Sequence, residues 1–425
     1  MKIAVLSCLV FPYAACVSDK PLVEAPAMAV RLSGEEADAA EPAIVRDGEG
    51  NLYVVYVEHE ADKKDDVYLQ KVDGEMKNAG PRTRVNKIPG IAKTWRGDPP
   101  TIAVGPTGSI YVGWRSKVEG GNDLMLSVST DGGQTFTDPV KVNDDSKPAS
   151  HGMHSLAVDG NNNVFVAWLD ERNIDTAAHV QSFDNPVDPG SEFYYLNAHH
   201  NSNTPDQPEK KPHKKVEMVE PNSEVFFSSS KDGGKTFSAN KKLAVEVCPC
   251  CKTALTIAPN GTLYISWRQV LDGDFRHIAV ASSTDGGQTF SEAVIVSDDE
   301  WKINACPISG AALSAEDDAL KVLWYTAGDA GVAGVYTAES KDNGKTFSPR
   351  TLVNSDAVGG TPVITNQPGG KASFVYPAKD GKVTVEAEII DNATLPAAVH
   401  SNGKGYTAFV RNQGEKRAVW ISATR

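Results

Sequence analysis

The stretch Glu246–Ala254, EVCPCCKTA, puts three thiols into four positions: Cys248, Cys250 and Cys251. Thiolates are nucleophiles and soft metal ligands, so such crowding has three chemical outlets: redox exchange, metal binding or a structural disulfide. The spacing C-x-C-C is not the paired C-x-x-C knuckle of a zinc ribbon. Adjacent Cys250 and Cys251 cannot bond to each other without strain. One further thiol of the chain body, Cys306, offers a partner. A staple from Cys250 or Cys251 to Cys306 and a metal site that uses the same sulfurs are both open on these residues.

The compartment bears on that choice. The chain begins MKIAVLSCLVFPYAACVSDK, in which one Lys precedes an apolar run from Ile3 to Phe11 and then small residues. This reads as a short export signal, too short to span a membrane. It ends Tyr13-Ala14-Ala15-Cys16, which resembles a bacterial lipobox with Tyr13 where Leu is usual. Residues 1–16 are therefore expected to be a signal, 17–27 a linker, and 28–425 a single domain. Localisation is expected in the periplasm, or at the outer membrane of a Gram-negative-type envelope through a lipid on Cys16, with no other membrane contact. That environment permits disulfides. The net charge of −13, from 42 Lys+Arg against 55 Asp+Glu, argues against nucleic-acid binding, which needs basic patches. The one dense basic run, Lys210 to Lys215, sits in a polar loop.

The elements that position the thiols are repeated. Four near-copies of S-x-D-x-G-x-T-F occur: STDGGQTF at Ser129–Phe136, SKDGGKTF at Ser230–Phe237, STDGGQTF at Ser283–Phe290 and SKDNGKTF at Ser340–Phe347. Each lies between two alternating apolar runs and so reads as a turn between strands. Asp folds onto nearby backbone N–H groups, Gly supplies positive φ, and Phe plugs the sheet. A second repeat is an aromatic-rich period-two run, as in NLYVVYVE, SIYVGWRS, NVFVAWLDER, TLYISWRQ and LKVLWYTA, with weaker copies ASFVYPAK and GYTAFVRN. No amphipathic helix pattern of useful length appears. An all-β unit of roughly 50 residues repeated this way predicts a β-propeller of four-stranded antiparallel blades, seven by strand counting with six as the alternative. The last unit, ending RAVWISATR, lacks a fourth strand, and AVRLSG near the N-terminus is expected to supply it. A polar, Pro-rich segment at 181–222 interrupts the third unit between its second and third strands, and is expected to form a loop over the mouth.

The four motifs are Asp-boxes, and the chain resembles the sialidase-like BNR-repeat propellers over essentially its whole mature length. The resemblance implies that Asp131, Asp232, Asp285 and Asp342 are structural turn residues rather than catalytic ones. It also tests for sialidase activity. The family's first carboxylate-binding arginine lies in a Phe-Arg-Ile-Pro motif, and the matching stretch here, Ala39–Val45, keeps Pro42 but has Ala40 at the arginine position. A methyl group cannot replace a bidentate guanidinium. Sialoside hydrolysis is therefore not expected, and whether the chain is any enzyme stays open; no catalytic residue is assigned.

The resemblance further implies that the innermost-strand starts meet at one mouth of the ring. Those positions are Trp95–Pro100, Ser150–Ser155 (with His151, Met153 and His154), Cys248–Cys251 and Ala305–Ile308 (with Cys306). Four thiols, two imidazoles and a thioether make a soft-ligand set, which suits copper, with zinc or no metal as alternatives. The leading expectation is an exported copper-binding propeller working in metal handling or redox, with Cys248, Cys250, Cys251, Cys306, His151, His154 and Met153 as ligands and a periplasmic protein as partner. Second-strand ends add Arg115, Arg172, Arg268, Arg276, Asp272 and Asp274, and Arg96 precedes an innermost strand. These suggest anion or glycan contacts, the alternative being a glycan-binding or glycoside-acting protein. A third reading is a scaffold held by disulfides.

Overall fold

The computed structural model describes residues 23–24, 29–60, 64–94, 97–174, 222–303, 307–316, 318–366, 372–386, 388–401 and 403–424. The expected signal, Arg96, Cys306 and nearly all of the 181–222 segment lie outside these residues. Regular structure among them is β-strand, apart from one 3-10 turn at Lys379–Gly381.

A four-stranded antiparallel meander recurs. Thr101–Val104, Ile110–Val118, Gly121–Ser129 and Val140–Lys141 form one sheet. The same order holds from Asp38–Arg46 to Ala79–Arg84 and from Ala311–Glu316 to Thr351–Asn354. An eight-stranded sheet consists of two such meanders, joined where Val247 pairs with Gln269. The meander that starts at Val363–Asn366 gains Val23–Glu24 as a parallel edge. The final one, Thr394–Ser401, Lys404–Gln413 and Lys416–Thr424, is completed by Ala29–Arg31, whose register is Ala29↔Ser422, Val30↔Ile421 and Arg31↔Trp420. The closing strand foreseen in AVRLSG is thus present.

First strands pack side by side in chain order. Asp38–Arg46 touches Thr101–Val104, which touches His151–Val158; Ala254–Ile257, Ala311–Glu316, Val363–Asn366 and Thr394–Ser401 follow, and the last touches Asp38–Arg46 again. Second strands are buried on both faces because each sheet is sandwiched between two others. In Leu52–Glu60, Val54 and Tyr56 pack with Tyr406, Val410 and Val419 of the final sheet. Their neighbours Tyr53, Val55 and Val57 pack with Ile110, Val112 and Trp114 of the next. Side chains alternate faces along a strand, so an apolar run with period two serves two interfaces.

The four S-x-D-x-G-x-T-F turns share one hydrogen-bond pattern closed by their own aspartates. Asp131 Oδ1 accepts from the N–H groups of Gln134 and Thr135 at 3.0 and 2.9 Å, and Oδ2 accepts from Thr135 Oγ1 at 2.6 Å. Asp232, Asp285 and Asp342 repeat this pattern. The second glycine of the box needs to be glycine for two reasons: Gly287 has φ +80°, and a Cβ there would stand 2.5 Å from the Phe227 ring of the preceding meander. Phe290 then meets Phe227 edge-on with centroids 4.9 Å apart.

Candidate functional site: a buried sulfur triad

Cys248–Cys251 form the crossover from the edge strand Lys241–Val247 to the first strand of the next meander, Ala254–Ile257. The Cys248 N–H donates to the Arg268 carbonyl at 2.9 Å, and the Cys251 N–H turns back to the Cys248 carbonyl at 3.4 Å. The crossover is therefore a tight turn around Pro249 that directs its sulfurs inward. All three cysteines are at most 2 % exposed, packed with Met153, Val247, Trp267, Val270 and Ala279.

Cys248 Sγ lies 3.3 Å from Cys251 Sγ and 3.7 Å from Cys250 Sγ. Cys248 and Cys251 are free thiols, whereas Cys250 is disulfide-bonded. This closes one of the alternatives left by the sequence: Cys251 is not the stapling residue. The two thiols differ sharply. Arg276 Nη1 donates to Cys248 Sγ at 3.1 Å. The hydrogen bond with Cys251, and then the charges of Arg276 and Arg268, outweigh burial and bring the Cys248 thiol down to about 6. Burial, followed by the neighbouring Cys248, pushes the Cys251 thiol well up, and the Ser309 N–H at 3.4 Å opposes this only weakly. The two neighbouring thiols are thus pushed in opposite directions, with the thiolate form favoured at Cys248 beside the Arg276 guanidinium.

The histidines do not join this group. Among the described residues, the potential ligand atoms that lie together, all within 4.8 Å, are the three sulfurs. His151 Nδ1 contacts the Asn122 carbonyl at 2.6 Å, and its Nε2 lies 3.1 Å from Asp145. His154 Nδ1 lies 3.2 Å from Asp98. Met153 belongs to the same large buried apolar cluster as the cysteines, and its carbonyl accepts from the Thr253 N–H at 3.0 Å.

The arginines expected at a ligand are committed to the protein itself. Arg115 Nε sits 2.8 Å from Asp98. Arg172 is held by Asp170 and Asp144 at 2.8 and 2.7 Å and lies over the Phe226 ring. Arg268, fully buried over Trp301, donates to the carbonyls of Ser309, Arg276 and Tyr325. Asp274 is a turn residue with φ 64°. Two features were missed by sequence reasoning. Arg276, expected from the sequence as an anion or glycan contact, instead donates to Cys248 Sγ, a role that no local signal marks; it is brought there because it pairs across the hairpin with Val270. The second is a polar cluster of Asp98, Arg115, His154 and Lys252, in which burial brings Lys252 down to about 8. Asp98 stood in the register-matched stretch Trp95–Pro100, so a signal for it existed.

No protein-family model matches the chain, and no curated protein matches it in sequence. Solved structures do. A polysaccharide lyase of family PL25, an ulvan lyase with -[GlcA(1-4)Rha3S]- bound, aligns with a TM-score of 0.53 at 12 % identity, over 82 % of this chain and 80 % of that one. A protein of unknown function from Dyadobacter fermentans aligns with a TM-score of 0.50 at 13 % identity, over 93 % and 97 %. The NanB sialidase from Streptococcus pneumoniae aligns over 88 % and 83 % at 11 % identity, with a TM-score of 0.47. At such identities likeness speaks for architecture and not for chemistry. The architecture of this chain is an all-β, β-propeller-like one, built of four-stranded antiparallel meanders.

Proposed function

We propose that this chain is an exported, lipid-anchored propeller of the sialidase-like Asp-box kind, seven-bladed and closed by its N-terminal strand, that carries Cu(I) on Cys248 and Cys251. The observation that supports this is the buried convergence of three sulfurs, with no histidine or carboxylate ligand atom grouped with them among the described residues. Soft thiolates select Cu(I), whereas a structural zinc site wants four ligands. The Arg276 guanidinium beside Cys248 balances the negative charge of a bis-thiolate complex. Cys250 supplies a third sulfur when its disulfide is open. The role is metal handling, with transfer to a protein partner by ligand exchange.

The test is anaerobic Cu(I) titration of the full chain against bathocuproine disulfonate, with elemental analysis of protein purified without chelator. One tightly held copper, lost in the Cys248→Ser Cys251→Ser variant, is the expected result. No copper retained, or equal retention by the variant, overturns the proposal. A second reading, an acidic-glycan binder, is favoured by the Asp98–Arg115–His154–Lys252 cluster, where His154 Nε2 is buried without a hydrogen-bond partner. Binding of an acidic oligosaccharide that survives loss of the thiols and fails in Lys252→Ala would support it.

A further inference from the structure

The sulfur triad mixes oxidation states: of its two thiols, Cys248 lies 3.7 Å from a sulfur that is already in a disulfide. Metal binding does not require that arrangement, whereas thiol–disulfide exchange does. Such exchange needs an attacking thiolate beside a disulfide sulfur and a second thiol to resolve the product. Cys248, 3.7 Å from Cys250 Sγ with Arg276 Nη1 donating to it at 3.1 Å, meets the first requirement, and Cys251, 3.3 Å from Cys248, meets the second.

The geometry points to an internal disulfide relay in which Cys248 attacks the Cys250 disulfide and Cys251 takes the bond onward. In the first step the Cys248 thiolate bonds to Cys250 Sγ, and the sulfur now joined to Cys250 leaves as a thiolate. In the second, Cys251 gives up its proton to that thiolate and attacks Cys248 Sγ, forming the Cys248–Cys251 bond and releasing Cys250 as a thiolate. One disulfide is broken and one made in each step, so no oxidant or reductant is consumed. The relay needs no reagent to enter, which matters because all three sulfurs are buried. It concerns the metal-free chain and goes beyond the copper reading.

The test uses the full chain in chelator, equilibrated in glutathione buffers from oxidising to reducing at pH 7.5, then acid-quenched, alkylated and digested. The peptide 243–252 carries all three cysteines, so fragmentation shows which one is alkylated. Label on Cys251 alone marks a Cys248–Cys250 bond, and label on Cys250 alone marks Cys248–Cys251. The expected result is a Cys248 linkage at intermediate poise, held at the Cys248–Cys250 stage in Cys251→Ser and absent in Cys248→Ser. If Cys250 passes directly from its present bond to the thiol, with Cys248 and Cys251 labelled at every poise in both the parent chain and Cys251→Ser, the relay is overturned. Because metal is absent throughout, that failure would leave the copper reading untouched, and a failed copper titration would leave the relay untouched.

Discussion

Replacing Arg276 with Met keeps the aliphatic stem that packs in the core but removes the charge 3.1 Å from Cys248 Sγ. In the parent protein Cys248 titrates at about 6, against roughly 8.5 for an unperturbed thiol. A difference of one in pKa corresponds to about 1.4 kcal/mol, so the folded protein favours the thiolate by roughly 3–4 kcal/mol. That preference comes first from the Cys251 hydrogen bond and then from Arg276 and Arg268, all working against burial. Without Arg276 the thiol should rise by at least one in pKa, because burial then meets weaker opposition. The sign for stability follows. The folded pKa lies below the unfolded one, so this contribution is fully present above about pH 8.5 and is lost as pH falls through about 6. Arg276→Met should therefore lose more stability relative to the parent at pH 8 than at pH 5. The assay is thiolate absorbance near 240 nm across pH 4 to 10, with Cys248→Ser as the blank, alongside urea unfolding at the two pH values. A Cys248 midpoint that stays near 6 in Arg276→Met, or a parent midpoint at 8.5 or above, would refute the reasoning.

Other positions give shorter tests. Arg268→Met leaves the carbonyls of Ser309, Tyr325 and Arg276 without their buried donor; urea unfolding should show a loss of about 3 kcal/mol or more. Gly121→Ala would put a Cβ 2.1 Å from the Ala149 carbonyl oxygen, and the forced backbone shift should cost about 1–3 kcal/mol by the same measurement. His59 is partly buried, which opposes its charge, but its contacts with Asp65 and Glu41 at 2.9 and 2.7 Å prevail and raise it to about 9. Its contribution is thus present below pH 6.5 and lost as pH rises through 9. His59→Gln should accordingly lower the melting temperature clearly at pH 6 and little at pH 10.

What was legible in the sequence was local or periodic. The Asp-boxes could be read because each carboxylate is satisfied within four residues of its own position. The strands could be read because alternating faces leave an alternating apolar record. The sulfur triad was legible because its three members are almost contiguous. The histidines misled for a physical reason. The strand His151–Val158 shifts register between Gly152 and Ser155, and Met153 there has φ 52°. Such a bulge redirects side chains that a regular strand would have aligned with the register-matched positions of neighbouring sheets. His151 and His154 thereby meet Asp145 and Asp98 instead of the sulfurs. The oxidation states of the cysteines and the place of Arg276 depend on contacts between residues distant in sequence, which no spacing encodes.

The pairing of Ala29–Arg31 with Lys416–Thr424 has a kinetic side. The ring's last seam joins residues separated by nearly the whole chain, and closing so large a loop costs roughly 5 kcal/mol of chain entropy before any contact rewards it. Until Lys416–Thr424 has been made, the meander that it completes and the sheet Asp38–Arg46 that it adjoins face water across open apolar surfaces. Folding is therefore a race between the final strand's arrival and association through those surfaces. A circular permutant that links the present ends and opens the chain elsewhere would move the seam, and with it the slowest step, to a different sheet.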